Sequence, residues 1–193
     1  MSFVRCFIAI EIPEPQKLEL SEFENTLKAR SPSVVKWVEP QGIHLTLKFL
    51  GEVPEEQVEE ITMAMEEATT GIPPFQLEIK GTGAFPNLSR VQVVWVGITG
   101  ETDKLAVLQK QVESNLEQLG FPRENRDFSA HLTLGRVHVE ASPADRQKIG
   151  TLLAGMTLVA SRPFQVDAIH LVKSHLTRTG AIYTSLKEIK LKS

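Results

Sequence analysis

The sequence predicts an α+β fold: a bilobal molecule of mostly antiparallel sheet, with helices on the outer faces and a groove between the lobes. Three observations carry this expectation. Strand-like and helix-like stretches alternate along all 193 residues. The tetrapeptide His-Leu-Thr-Leu occurs twice, with His44 and His131 87 residues apart (131 − 44). Other landmarks recur at nearly the same offset: Pro74-Phe75-Gln76 and Pro163-Phe164-Gln165 are 89 residues apart (163 − 74), and Trp95 and Tyr183 are 88 apart (183 − 95). A fixed period of this kind marks a diverged duplication, and two repeats related by a pseudo-twofold axis share a groove.

Taken in order, Phe3 to Ile12 is rich in β-formers and stops at Pro13; its apolar character suits a central strand. From Gln16 to about Arg30, Leu20, Phe23 and Leu27 recur at helical spacing until Ser31-Pro32. Ile43 to Leu50 is the first His-Leu-Thr-Leu strand, closed by Gly51. Pro54 then opens a helix in which Val58, Ile61, Met65 and Ala68 share a face, ended by Gly71 and Pro73-Pro74. Phe75 to Lys80 and Arg90 to Ile98 read as a hairpin joined by a loop from Gly81 to Asn87. Thr102-Asp103 can cap a helix with Leu105, Leu108, Val112 and Leu119 as its buried stripe, ending at Gly120. After a charged loop from Arg123 to Asp127, Phe128 to Val139 carries the second motif. Ser142-Pro143 starts a short helix to about Leu153. Phe164 to Val172 and Ala181 to Ile189 close the chain as strands around a polar turn from Ser174 to Gly180. The expected organisation is one domain, 1–193, built from two intertwined lobes.

Composition narrows the function. A formal net charge of −3 argues against holding long duplex nucleic acid by counterion release, though not against a short RNA end. The single cysteine, Cys6, allows no intramolecular disulfide and no thiol cluster for zinc. Neither a cleavable leader pattern nor a membrane-length apolar run is present, so a cytoplasmic protein is expected, without a membrane or an obligate protein partner.

The repeated tetrapeptide carries the chemistry. In an extended strand each copy puts His and Thr on one face and two leucines on the other. One such histidine alone is more often structural than catalytic. The duplication, however, preserves His, Leu, Thr and Leu as a block while retaining little else by identity, and the leucines account for only half of it. Cleavage of a phosphodiester calls for a base to activate the nucleophile and an acid to protonate the departing oxygen. Histidine can play either part near neutral pH. Threonine hydroxyls two positions along can hold nonbridging oxygens. No metal is required, and no other cofactor.

With these residues the chain resembles the two-histidine (2H) phosphoesterases, most of all the RNA 2′,3′-cyclic phosphodiesterases first described as 2′-5′ RNA ligases (LigT-like). The likeness rests on Arg5-Cys6-Phe7-Ile8-Ala9-Ile10 and His44-Leu45-Thr46-Leu47-Lys48-Phe49-Leu50-Gly51. It continues through Gly81-Thr82-Gly83-Ala84-Phe85-Pro86, His131-Leu132-Thr133-Leu134-Gly135-Arg136, and the closing Ser174-His175-Leu176 and Gly180-Ala181-Ile182-Tyr183. The resemblance implies hydrolysis of a 2′,3′-cyclic phosphate at an RNA end to a 2′-phosphomonoester, with 2′-5′ ligation as the reverse reaction. By position it makes His44 the proton donor to the 3′ oxygen and His131 the acceptor of the water proton. Thr46 and Thr133 then hold the phosphate, and Arg136 neutralises its charge. Ala130 departs from the family, which often has Pro there.

Phe7 and Tyr183 are candidates to stack on a base, though Phe7 suits a core equally well. Lys48 shares strand parity with His44 and Thr46, yet reads more simply as a solvated lysine. Arg5, Arg90, Arg123, Arg126 and Arg178 could escort RNA, while His138, His170 and His175 lack the repeated context and read as structural. The rival reading is a binding module for AMP-like nucleotides or RNA ends in the same groove, which retention of both His-Thr pairs disfavours. A metallohydrolase lacks the usual ligand spacing and would gain little from threonine. A serine hydrolase lacks its nucleophile elbow.

Overall fold

The structure, a computed structural model, describes residues Met1–Ser193. Nine strands and four α-helices follow in the order β1 (Phe3–Glu11), α1 (Glu14–Arg30), β2 (Val35–Trp37), β3 (His44–Pro54), α2 (Val58–Ala68), β4 (Phe75–Phe85), β5 (Val93–Gly100), α3 (Thr102–Glu117), β6 (His131–Val137), α4 (Pro143–Gly155), β7 (Phe164–Val166), β8 (Ala168–Thr177) and β9 (Gly180–Lys190). They form two sheets, β3-β1-β8-β9 and β2-β6-β5-β4-β7. Every pairing within them is antiparallel.

The duplication predicts two similar sheets, and the topology adds an exchange between them. β4 follows β3 in the chain but pairs with β5 in the second sheet, whereas β8 follows β6 yet pairs with β1 in the first. Helices cross over in the same way. α2 and α3 pack together, α2 touching β9 and α3 touching β3 of the four-stranded sheet. α4 lies on β4, and α1 reaches the segment after α4 through Gln16 Nε2 to the Arg162 carbonyl, 3.1 Å. One contiguous core of 38 buried residues therefore runs through both sheets. Fully buried leucines such as Leu20, Leu27, Leu132 and Leu134 each contribute about 1.5–3 kcal/mol to it.

Several boundaries differ from the sequence expectation. β3 does not stop at Gly51, which takes φ +76 within a strand continuing to Pro54; α2 begins only at Val58. The expected loop after Lys80 is strand: a register shift between Ile79 and Thr82, with Gly81 at φ +81, lets β4 continue to Phe85. The expected single strand from Phe164 splits at Asp167, where the chain passes from one sheet to the other as β7 and β8. The turn after β8 shrinks to Arg178-Thr179 because the β8–β9 ladder reaches Thr177 and Gly180. Thr102 begins α3 rather than capping it; the preceding Glu101 instead accepts the Gln76 N–H at 2.7 Å. Ser142 caps α4 as expected, its hydroxyl accepting from the Asp145 N–H at 3.1 Å.

Candidate active site

Each His-Leu-Thr-Leu copy lies in its own sheet, the first opening β3 and the second opening β6. Leu45, Leu47, Leu132 and Leu134 are buried in the core; His44, Thr46, His131 and Thr133 are half-buried on the opposite face. The two strands approach within 8 Å between Cα atoms. A short connection holds them there: β2 pairs with β6, the Val38 N–H then donates to the Leu134 carbonyl at 2.8 Å, and six residues later the chain reaches His44.

A β-bulge follows the threonine in both copies. Ala9 pairs with Thr46 and Ile8 with Lys48, leaving Leu47 unmatched; Trp95 pairs with Thr133 and Val94 with Gly135, leaving Leu134 unmatched. An extra residue resets the alternation of faces. Lys48 is consequently turned into the core instead of toward the groove or solvent, contrary to both sequence readings. Its ammonium donates to Glu113 Oε2 and to the Pro122 carbonyl, each at 2.8 Å. Arg136 and its counterpart Phe49 rotate to the His-Thr face, where both are exposed. Strand parity uncorrected for the bulge would exchange these assignments.

The two imidazoles are held alike. His44 Nδ1 lies 2.9 Å from the Gly42 carbonyl and His131 Nδ1 lies 2.7 Å from the Ser129 carbonyl, in each case the residue two positions earlier. A carbonyl only accepts, so Nδ1 carries the hydrogen and Nε2 is the nitrogen left free to gain or lose a proton. Burial lowers the pKa of His44, the Gly42 carbonyl partly offsets this, and Lys17 lowers it further.

Aromatic rings brace both histidines. Phe7 and Tyr183 meet His44 edge-on, with centroids at 5.6 and 5.1 Å. Phe85 meets His131 edge-on at 4.9 Å, and Trp95 lies at 6.3 Å. Trp95 thus stands beside the second histidine as Phe7 stands beside the first, 88 residues earlier (95 − 7). Phe85 was hidden by its expected loop, and Trp95 was visible only as a repeat landmark. In the second lobe the Trp95 indole lies so close over Gly83 that a Cβ there would sit 2.3 Å from the ring. The first retains a cleft of about 250 Å³, lined by Arg5, Phe7, Phe49, Ser174, Leu176 and Tyr183 among others.

The remaining candidates separate by partner. Arg123 is tied to Glu117 at 2.7 Å and to Ser114 at 3.0 Å. His170 is buried, 3.1 Å from Ser185 Oγ and 3.7 Å from Glu11. Arg90, Arg126 and Arg178 are exposed on loops or turns. No helix is long and apolar enough to cross a membrane.

Comparison with known proteins agrees with the duplication. The family model described as LigT-like phosphoesterase matches twice, over residues 10–95 and 96–183. A Methanothermobacter thermautotrophicus protein named RNA 2′,3′-cyclic phosphodiesterase is 34% identical, with 97% of this chain and 99% of that one covered. A Methanocaldococcus jannaschii protein of the same name is 35% identical, over 96% of this chain and 99% of its own. Among solved structures, TT0787 of Thermus thermophilus superposes with a TM-score of 0.81 at 27% identity, covering 98% of each chain. Apo LigT of E. coli superposes at 0.77 and 25% identity, covering both chains fully.

Proposed function

Because the chain belongs to the LigT-like phosphoesterase family, we propose that it is an RNA 2′,3′-cyclic phosphodiesterase acting through its two histidines. The observation that carries this reading is the twinned geometry: two His-Thr strands, one in each sheet and in contact with each other, each imidazole oriented through Nδ1 by a carbonyl two residues back. Two Nε2 atoms from opposite sides suit an in-line displacement at one phosphorus.

In this mechanism, water attacks the phosphorus opposite the 3′ oxygen. His131 Nε2 takes the water proton as the new P–O bond forms. The bond from phosphorus to the 3′ oxygen breaks, and protonated His44 supplies that oxygen with a proton, leaving a 2′-phosphomonoester. Thr46 and Thr133 donate hydrogen bonds to the nonbridging oxygens, and Arg136 offsets their charge. The cleft supports this polarity. The 3′ oxygen stays on the ribose, so the nucleoside lies on the side of the acid, and the side of His44 has space bordered by Phe7 and Tyr183 for a base. On the other side, where Phe85 and Trp95 stand against His131, only water need approach. Since burial lowers the pKa of His44, the acid role depends on the anionic phosphate restoring its proton.

In this mechanism both proton transfers fall to the histidines, and no step draws on a metal. The test is an oligonucleotide ending in a 2′,3′-cyclic phosphate, incubated with and without EDTA. The expected product is the 2′-phosphate at an unchanged rate, with 2′-5′ ligation sought as the reverse reaction. His44→Ala and His131→Ala each lower kcat by roughly 10²–10⁴-fold while remaining folded. A 3′-phosphate product would reverse the two roles, and full activity in either variant would refute the mechanism.

A further inference from the structure

We infer that the first sheet carries a second nucleotide subsite, in which Arg5 holds the phosphate upstream of the reacting end and Phe49 supports the adjoining base; the inference rests on the function proposed above. The cleft beside His44 continues along β1 and β3 away from the histidine. Phe7 and Tyr183 border both the histidine and the cleft, and Phe49, Leu176 and Arg5 extend its wall outward. Phe49 is 68% exposed and Tyr183 37%, leaving aromatic surface open where a base can stack.

Arg5 is the cation lining this cleft, and its guanidinium forms no hydrogen bond or ion pair within the protein, including with Glu52, its cross-strand partner. Ala9 pairs with Thr46 at the reacting phosphate, so Arg5, four residues earlier on β1, lies about 13 Å along the strand. That separation places its guanidinium beyond the cyclic phosphate and beside a different one. The corresponding face of the second sheet differs: Arg136 stands where β3 has Phe49, next to Thr133 rather than at a distance. One cation therefore serves the reacting phosphate and another an upstream phosphate, with aromatic surface between them. The ligand is a single-stranded RNA end of at least two nucleotides, and a mononucleoside cyclic phosphate fills only the inner part of the site.

The test compares kcat/KM on a nucleoside 2′,3′-cyclic phosphate with that on a dinucleotide bearing a 5′-phosphate and a 2′,3′-cyclic phosphate, for the wild type, Arg5→Gln and Phe49→Ala. The wild type is expected to prefer the dinucleotide by about tenfold or more, and each variant to reduce that ratio several-fold. In Arg5→Gln the salt dependence on the dinucleotide should become shallower by about 0.7 in the log–log slope. Equal efficiency of the wild type on both substrates, or equal losses on both in Arg5→Gln, would overturn the subsite and leave the function intact. Failure of the wild type to hydrolyse either substrate would instead refute the function itself.

Discussion

At the scale of single residues, the proposed mechanism rests on two histidines with the same tautomer but different surroundings. Burial lowers the pKa of His44, so in the free protein it loses its proton below the ordinary value of about 6.5. An anion at Nε2 favours the charged imidazolium and raises that pKa. NMR titration of the His44 ring should show a midpoint below an ordinary histidine's and an upward shift in saturating sulfate, whose charge does not titrate in this range. An unmoved midpoint would place the anion elsewhere. Arg136 is exposed on the same face as His131 and Thr133, with Lys36 of β2 and Val93 of β5 as its cross-strand partners. A charge-assisted bond to phosphate is worth about 1.5–3 kcal/mol, so Arg136→Ala should lower kcat/KM roughly 10–100-fold on mono- and dinucleotide alike. Arg136→Lys should recover part of that loss.

At the scale of elements, the paired bulges decide which side chains reach the groove. The bulge in β3 is held from behind: Gln109 Nε2 on α3 donates to the Leu47 carbonyl at 3.5 Å and to Glu113 Oε1 at 3.3 Å, while Glu113 receives the Lys48 ammonium. The same lysine holds the Pro122 carbonyl, and the Glu124 N–H points to Glu113 at 3.4 Å, so the network also anchors the chain that leads toward His131. Removing one member leaves a buried charge without its partner, which costs about 3–5 kcal/mol. Lys48→Met and Glu113→Leu should each destabilise by about that amount in urea, and the double variant by clearly less than their sum. Additive losses would mean that the pair is not coupled. Gly83 makes a parallel demand in the second lobe: Gly83→Ala must displace Trp95 and with it the wall beside His131, which fluorescence should report.

At the scale of the molecule, the exchange of β4 and β8 makes each lobe depend on both halves of the sequence. With one core through both sheets, neither half can bury its apolar faces alone. Unfolding monitored by far-ultraviolet circular dichroism, which sees both sheets, should coincide with that monitored by fluorescence of Trp37 and Trp95, both in the five-stranded sheet. Separate transitions would show that the lobes are independent. The same exchange accounts for the strands that pattern reading joined or cut short. Phe164 to Val172 reads as one strand by pattern, and its two different partners, β4 and β1, divide it at Asp167.

The alternation of strands and helices, the duplication and the two His-Thr pairs are legible in the chain alone, because burial periodicity and repeat spacing are local properties. The sequence also brought Arg136 forward as the mark distinguishing the two copies. Tertiary structure alone decided the fate of Lys48 and Phe49, since a bulge exists only relative to a partner strand and its register with β1 reverses both. It decided as well that Trp95 and Phe85 brace His131, and that Arg5 lines a cleft whose wall residues Phe7 and Tyr183 also touch His44. Those contacts join residues far apart in the chain, and no local pattern encodes which strand becomes whose neighbour.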